Sequence, residues 1–314
     1  MAHRTMTPLD ADSLHGVWGS VLLPIADDDT IDWDRLDAEL DALASSDLDG
    51  VYAHGTAGEF HTLSDDEYQR VSTMLAEACA RTGKAFQIGA SHPIAQVTRE
   101  RIRRTHELAP GAYQVILPDW LPLNDHECAT YVRGVAAASD PVPIVLYNPP
   151  HAKTSATPVL LSRLLDEVPA LIGIKVADGD ADWYDAMRDV LGRCAVFVPG
   201  HRLASGVARG ASGSYSNIAA LSPTGAARWY SLLRTDRAAA LDVEERIAKL
   251  FGRHIAPLQR AGHSNPALDK FLAAVGDWAD VGLRVRWPYD SAPQAAVAPA
   301  RRDAATLLPE LFGE

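Results

Sequence analysis

One lysine stands inside an otherwise apolar run, Leu171-Ile172-Gly173-Ile174-Lys175-Val176-Ala177. A run of this length, rich in β-branched residues, reads as a strand buried on both faces, as in parallel sheets covered by helices. Alternation along the strand puts Lys175 on the face of Gly173 and Ala177, whose side chains are minimal, and so implies space around the amine. An ammonium withdrawn from water loses hydration; its pKa falls and the neutral, nucleophilic amine becomes available near neutral pH. Schiff-base chemistry with a carbonyl requires this. The other reading of such a lysine is structural, with the charge paired to a buried carboxylate or snorkelling from the strand end.

The elements that would position this amine follow from periodicity. Short apolar segments at 17–24, 50–54, 86–90, 112–117, 144–147, 171–176, 195–198 and 213–216 recur with helical stretches between them. Most intervals fit one strand, one helix and two turns, the pattern of a parallel sheet, and eight such units close into a (β/α)8 TIM barrel. Leu36, Leu40 and Leu43 mark the apolar stripe of one helix, after an acidic first turn at Asp32 and Asp34. Ser64 and Glu67 have capping-box spacing. After the eighth segment, 223–276 is helical in pattern and exceeds what the last barrel helix needs. The expected organisation is a disordered N-terminus at 1–12, a barrel at 13–225, and the last barrel helix with a C-terminal helical extension at 226–314. The Ala- and Pro-rich stretch 291–302 reads as a loop before a short final helix.

The chain has 314 residues, 47% of them hydrophobic, enough for a sizeable core. A net charge of -12 with no basic, aromatic-interleaved run argues against nucleic acid. No apolar stretch reaches membrane-span length and no secretory signal is visible, so a cytoplasmic protein is expected. Cys79, Cys128 and Cys194 lack Cys-x-x-Cys spacing, and no pair of the eleven histidines has metal-binding helix spacing. Neither a metal nor an organic cofactor is called for.

Catalytic groups of such a barrel project from the C-terminal strand ends. Strand two ends in Gly55-Thr56-Ala57-Gly58-Glu59, strand five in Tyr147-Asn148-Pro149-Pro150, strand six carries Gly173-Ile174-Lys175, and strand eight lies in Gly210-Ala211-Ser212-Gly213-Ser214-Tyr215-Ser216-Asn217. In this order and spacing, over residues 14 to 290, the chain resembles the dihydrodipicolinate synthase and N-acetylneuraminate lyase family of class I, Schiff-base-forming aldolases. The resemblance implies that Lys175 attacks the ketone of a 2-oxo acid and that Tyr147 is the general acid and base. It implies further that the Gly55-Thr56-Ala57 turn holds the substrate carboxylate on backbone amides, with the Thr56 hydroxyl relaying protons to Tyr147. Glu59 would brace the turn. Tyr215 and Ser216 belong to the same strand-end set, and a homotetramer built from dimers is implied.

Departures from the family pattern bear on the substrate. Synthases of dihydrodipicolinate carry an arginine shortly after Tyr-Asn-x-Pro, where this chain has Ala152 in His151-Ala152-Lys153. Their relay also takes a tyrosine from a neighbouring subunit, where this chain has Pro118-Asp119-Trp120. An indole cannot relay a proton, so the relay must be shortened or rerouted. After strand seven, sialic acid lyases place an acid that binds sugar hydroxyls; here Gly200-His201-Arg202 puts a cation. Trp120, Ala57 and Arg202 together imply a distal substrate group that is apolar, aromatic or anionic. The expected activity is therefore aldol cleavage or condensation of a pyruvate-type 2-oxo acid with an aldehyde, not the lysine-pathway synthase. Loss of water from a sugar acid, an aromatic hydratase-aldolase reaction, and a catalytically silent 2-oxo acid-binding barrel are the alternatives.

Overall fold

The computed structural model describes residues 7–313. Eight parallel strands, β1 (Gly16–Ser20), β2 (Gly50–Ala53), β3 (Ala85–Gly89), β4 (Ala112–Ile116), β5 (Ile144–Tyr147), β6 (Leu171–Lys175), β7 (Ala195–Pro199) and β8 (Gly213–Tyr215), form a closed barrel in chain order. Closure pairs β8 with β1 at Gly213 and Gly16. A Cβ at Gly213 would lie 1.9 Å from the Gly16 carbonyl oxygen, so the seam can close only on a residue without a side chain.

Two cores result from strand alternation. Outward residues such as Val17, Val51, Ile88 and Ile174 pack against the helical ring. Inward residues, among them Leu14, Trp18, Tyr52, Phe197 and Tyr215, fill the barrel interior. Leu14 occupies the space beside Gly173, where a Cβ would meet it at 2.7 Å. The small residue below Lys175 thus admits packing, not the free space expected from the sequence; the opening lies above, where Ala177 lines a cavity.

Local signals hold as read for the helices at Trp33–Ser45 and Asp65–Thr82. Asp32 caps the first, and Ser64 and Glu67 form the reciprocal capping box of the second. The segment 291–302 departs from expectation, because a helix already runs Val297–Leu307. Its Pro299 falls in the first turn, where the backbone N–H has no intrahelical acceptor to lose, and the surrounding alanines favour the helix.

The expected disorder at 1–12 is only partly within the described residues, since 1–6 lie outside them. Leu9 donates its N–H to Gly111 O at 2.9 Å and packs with Ala11 against the interior core, closing the bottom of the barrel. Beyond β8 come helices at Pro223–Thr235, Arg237–Leu250, Asn265–Gly276 and Pro309–Phe312 and a π-helical turn at Phe251–Ile255. The Asn265–Gly276 helix packs on the short Asn217–Leu221 helix and so reaches over the barrel mouth. No described helix is long and apolar enough to cross a membrane.

Candidate active site

A cavity of about 480 Å³ opens at the C-terminal end of the barrel, with Lys175, Tyr147, Thr56 and Asp269 among its walls. Lys175 is the last residue of β6 and is in register with Tyr147 of β5, so the two side chains leave the sheet side by side. Lys175 Nζ lies 4.1 Å from the centre of the Tyr147 ring, 5.1 Å from that of Tyr52 and 5.2 Å from that of Tyr215. Its hydrogen bond to the Tyr52 hydroxyl is long, at 3.5 Å. Loss of hydration lowers the lysine to about 8, opposed only by the negative charge of Asp269. Three aromatic faces around an amine stabilise its charged form without replacing the hydration it has lost. The result is an amine that can exist neutral near physiological pH, as nucleophilic attack on a carbonyl requires.

Burial pushes the Tyr147 phenol up to about 12, and a hydrogen bond with the Thr56 side chain works against that rise. Tyr147 therefore holds its proton at neutral pH, and Thr56 is its immediate partner. The Thr56 and Ala57 turn follows β2 and is shaped by the Glu59 N–H donating to Thr56 O at 3.1 Å. Among the described residues, neither the Thr56 nor the Ala57 N–H is paired with another backbone group. Both residues face the cavity. Free amides on a tight turn are an anion nest. Gly55 does not line the cavity; a Cβ there would strike the Tyr52 ring at 2.5 Å, so its bareness seats Tyr52 against the turn.

Glu59 is buried and faces away from the reaction space. Its carboxylate accepts the Arg286 N–H at 2.8 Å and is ion-paired with the fully buried Lys270. This is the bracing expected of it. Tyr215 is inward-facing, donates to Gln87 Oε1 at 2.7 Å and floors the cavity. Ser216 also borders it, with its hydroxyl accepting Ala219 N at 3.1 Å as the cap of the following helix.

On the distal wall stand His201, Arg202 and Asn217. The His201 ring packs 5.1 Å from Phe251, and its pKa is lowered, by burial first. Arg202 has half its side chain in solvent and lies 4.0 Å from Asp178, so its charge remains available at the mouth.

Trp120 does not line its own chain's cavity. It is 82% exposed on the loop after β4, with Lys153 Nζ 5.0 Å from its ring and donating to its carbonyl at 3.3 Å. Trp120, expected among the substrate contacts, is thus not brought to the cavity by the fold of its own chain. Four expected residues from four strands, Lys175, Tyr147, Thr56 and Tyr215, do converge.

Asp269, Tyr52 and Ser20 border the cavity and were not singled out from the sequence. Asp269 carried the same signal as Lys175, a charge inside an apolar stretch, Ala267-Leu268-Asp269-Lys270-Phe271-Leu272. Among the described residues no group of three or more His, Cys, Asp or Glu could hold a metal ion.

A lysine ends β6 inside a tyrosine-lined mouth of a (β/α)8 barrel. The sequence signature of the Dihydrodipicolinate synthetase family matches residues 13–288, and the chain belongs to that family. The chain is 30% identical over 295 residues to a 4-hydroxy-tetrahydrodipicolinate synthase of Thermomicrobium roseum, covering 92% of each. It is 29% identical over 187 residues to an N-acetylneuraminate lyase of Rhizobium meliloti, covering 59% of this chain and 60% of that one. Among solved structures, YagE, a prophage protein of the dihydrodipicolinic acid synthase family from E. coli K12 in complex with pyruvate, superposes with a TM-score of 0.81 at 20% identity over 94% of this chain and 98% of its own. At that identity the likeness is one of fold. The family is one of lyases and aldolases, and the chain is an enzyme of that type.

Proposed function

We propose that the protein is a Schiff-base-dependent lyase that cleaves or condenses a pyruvate-type 2-oxo acid with an aldehyde. The observation that carries this reading is the Lys175 amine, lowered to about 8 and sharing one cavity with Tyr147 and the amide-bearing Thr56–Ala57 turn. The substrate carboxylate binds the amides of Thr56 and Ala57, which places C2 toward Lys175. Lys175 adds to C2, water leaves, and the protonated imine then draws electrons from the bond beyond C3 as it breaks or forms. Tyr147 delivers and removes protons, with Thr56 as its relay partner. No organic cofactor takes part, since the imine is the electron sink.

The lysine-pathway synthase reaction is set aside because Ala152 stands where a second carboxylate would need an arginine, although the T. roseum relative carries that name. The half-exposed Arg202 with His201 and Asn217 favours an anionic or aromatic distal group over a polyol. We place Trp120 at the contact of a homotetramer built from dimers, where it would approach a neighbour's site.

Borohydride reduction with pyruvate, followed by mass spectrometry of the peptides, tests the reading. A pyruvate-derived mass on the Lys175 peptide, absent from Lys175→Ala, is expected, and a screen of aromatic and acidic aldehydes then identifies the partner. No adduct with pyruvate or with other 2-oxo acids refutes it in favour of a silent barrel.

A further inference from the structure

Asp269 is a carboxylate with nothing structural to do. It stands in the first half of the Asn265–Gly276 helix, lines the cavity with Lys175, and its burial is offset by that lysine alone. Its field also raises the phenols of Tyr147 and Tyr52, two of the three tyrosines beside the amine. The adjacent cation, Lys270, points away, to Glu59 and the Arg284 carbonyl. From the elements packed on this helix, Asn217–Leu221 brings no ionisable side chain. Val297–Leu307 brings Arg301, which is bound at the far end to Asp277 and the Ala274 and Val275 carbonyls. On the cavity side, His201 and Arg202 stand at the distal wall. Asp269 is half-buried on the cavity wall with no hydrogen bond or ion pair among the described residues, and a carboxylate that gives up part of its hydration without a partner costs stability that a use in the reaction would offset.

We propose that Asp269 is the internal proton carrier and counter-ion of Lys175, doing within one subunit what a partner tyrosine would do had Asp119-Trp120 not replaced it. This rests on the imine reading above. In the free enzyme the charged pair predominates, and as substrate enters the Lys175 ammonium gives a proton across the shared cavity to the Asp269 carboxylate, leaving a transient neutral pair. The amine nitrogen then bonds to C2, the carbonyl π pair moves to oxygen, and the nitrogen's proton passes to that oxygen through Tyr147. Asp269 returns its proton to the carbinolamine hydroxyl as the C–O bond breaks. Water leaves, and the iminium faces a carboxylate. Lysine ammonium plus ketone has become iminium plus water, with no outside acid consumed. Burial raises Asp269 to about 7, which suits a group that must both take and give a proton near neutrality.

The test measures the rate of imine formation with pyruvate, by timed borohydride quench and intact mass, across pH for wild type, Asp269→Asn and Asp269→Ala. Expected are a rate about 100-fold lower in Asp269→Asn, with the adduct still reached at long times, and loss of the limb near pH 7. Added formate should partly restore Asp269→Ala, and both variants should melt no lower than wild type. A wild-type adduct with an unchanged rate and pH profile in folded Asp269→Asn overturns this inference alone. No adduct in wild type overturns the imine reading together with it.

Discussion

Lys175 and Tyr147 are register partners on adjacent strands, and the amine of one lies 4.1 Å from the centre of the other's ring. The nitrogen therefore meets the phenol through its face. Tyr147 OH is left to Thr56, so in the free enzyme it is a poised acid and not the group that deprotonates the lysine. Replacing Tyr147 by Phe keeps the ring beside Lys175 and removes the hydroxyl with its proton. Turnover should fall by about 100-fold or more, while pyruvate still accumulates slowly on Lys175. Near wild-type turnover, read by pyruvate release, would exclude Tyr147 as the acid and base.

The pH dependence of imine formation follows from the amine. Lys175 is lowered from the usual 10.5 to about 8 by lost hydration. Below about 8 the free enzyme holds mostly ammonium; beside the limb near pH 7 that Asp269 contributes, the rate should climb as pH rises through about 8. The same shift acts on folding with a definite sign. The unfolded chain binds this proton up to about 10.5 and the native protein only to about 8, so the native state gains stability as pH rises between them. Lys175→Met removes that component; the melting temperatures of wild type and variant should diverge across this window in favour of wild type. Parallel curves would mean the native lysine is not depressed.

The barrel was legible because each strand is a short apolar run followed by a helix with its own start signal, such as Ser64 and Glu67. Lys175 was legible because a charge interrupts such a run. Asp269 and Lys270 were harder for a geometric reason. Adjacent helical residues point about 100° apart, and the pattern does not tell which faces inward. Both do, Asp269 to the barrel mouth and Lys270 to Glu59, because this helix is covered on more than one side. The place of Trp120 was illegible because strand-end patterning does not tell which way the loop after β4 turns, and here it turns outward.

Trp120 and Leu121 are 82% and 74% exposed, with Ile94 at 54% beside the same surface groove. An apolar group of this kind is costly to leave in water, and association of subunits would cover it. Trp120→Glu should dissociate the proposed tetramer, read by sedimentation, and abolish turnover while leaving the far-ultraviolet circular dichroism unchanged. A monomeric variant with full turnover would show that no neighbour's tryptophan completes the site.

Glu59 and Lys270 form an ion pair that is 1% and 0% exposed, joining the Thr56–Ala57 turn to the helix that carries Asp269. Two charges removed from water together gain little net stability, but breaking the pair strands one of them, at a cost of about 3–5 kcal/mol. Lys270→Met should therefore lower the unfolding free energy by about that amount, and Glu59→Gln with Lys270→Met by clearly less. Function should follow geometry. With Glu59 held only by the Arg286 N–H, the Thr56–Ala57 turn loosens, and KM for the 2-oxo acid should rise more than kcat falls. Denaturant unfolding and steady-state kinetics on the two single variants and the double variant separate these effects. A double variant as unstable as Lys270→Met would mean that lost packing of the lysine stem, not the stranded carboxylate, carries the cost.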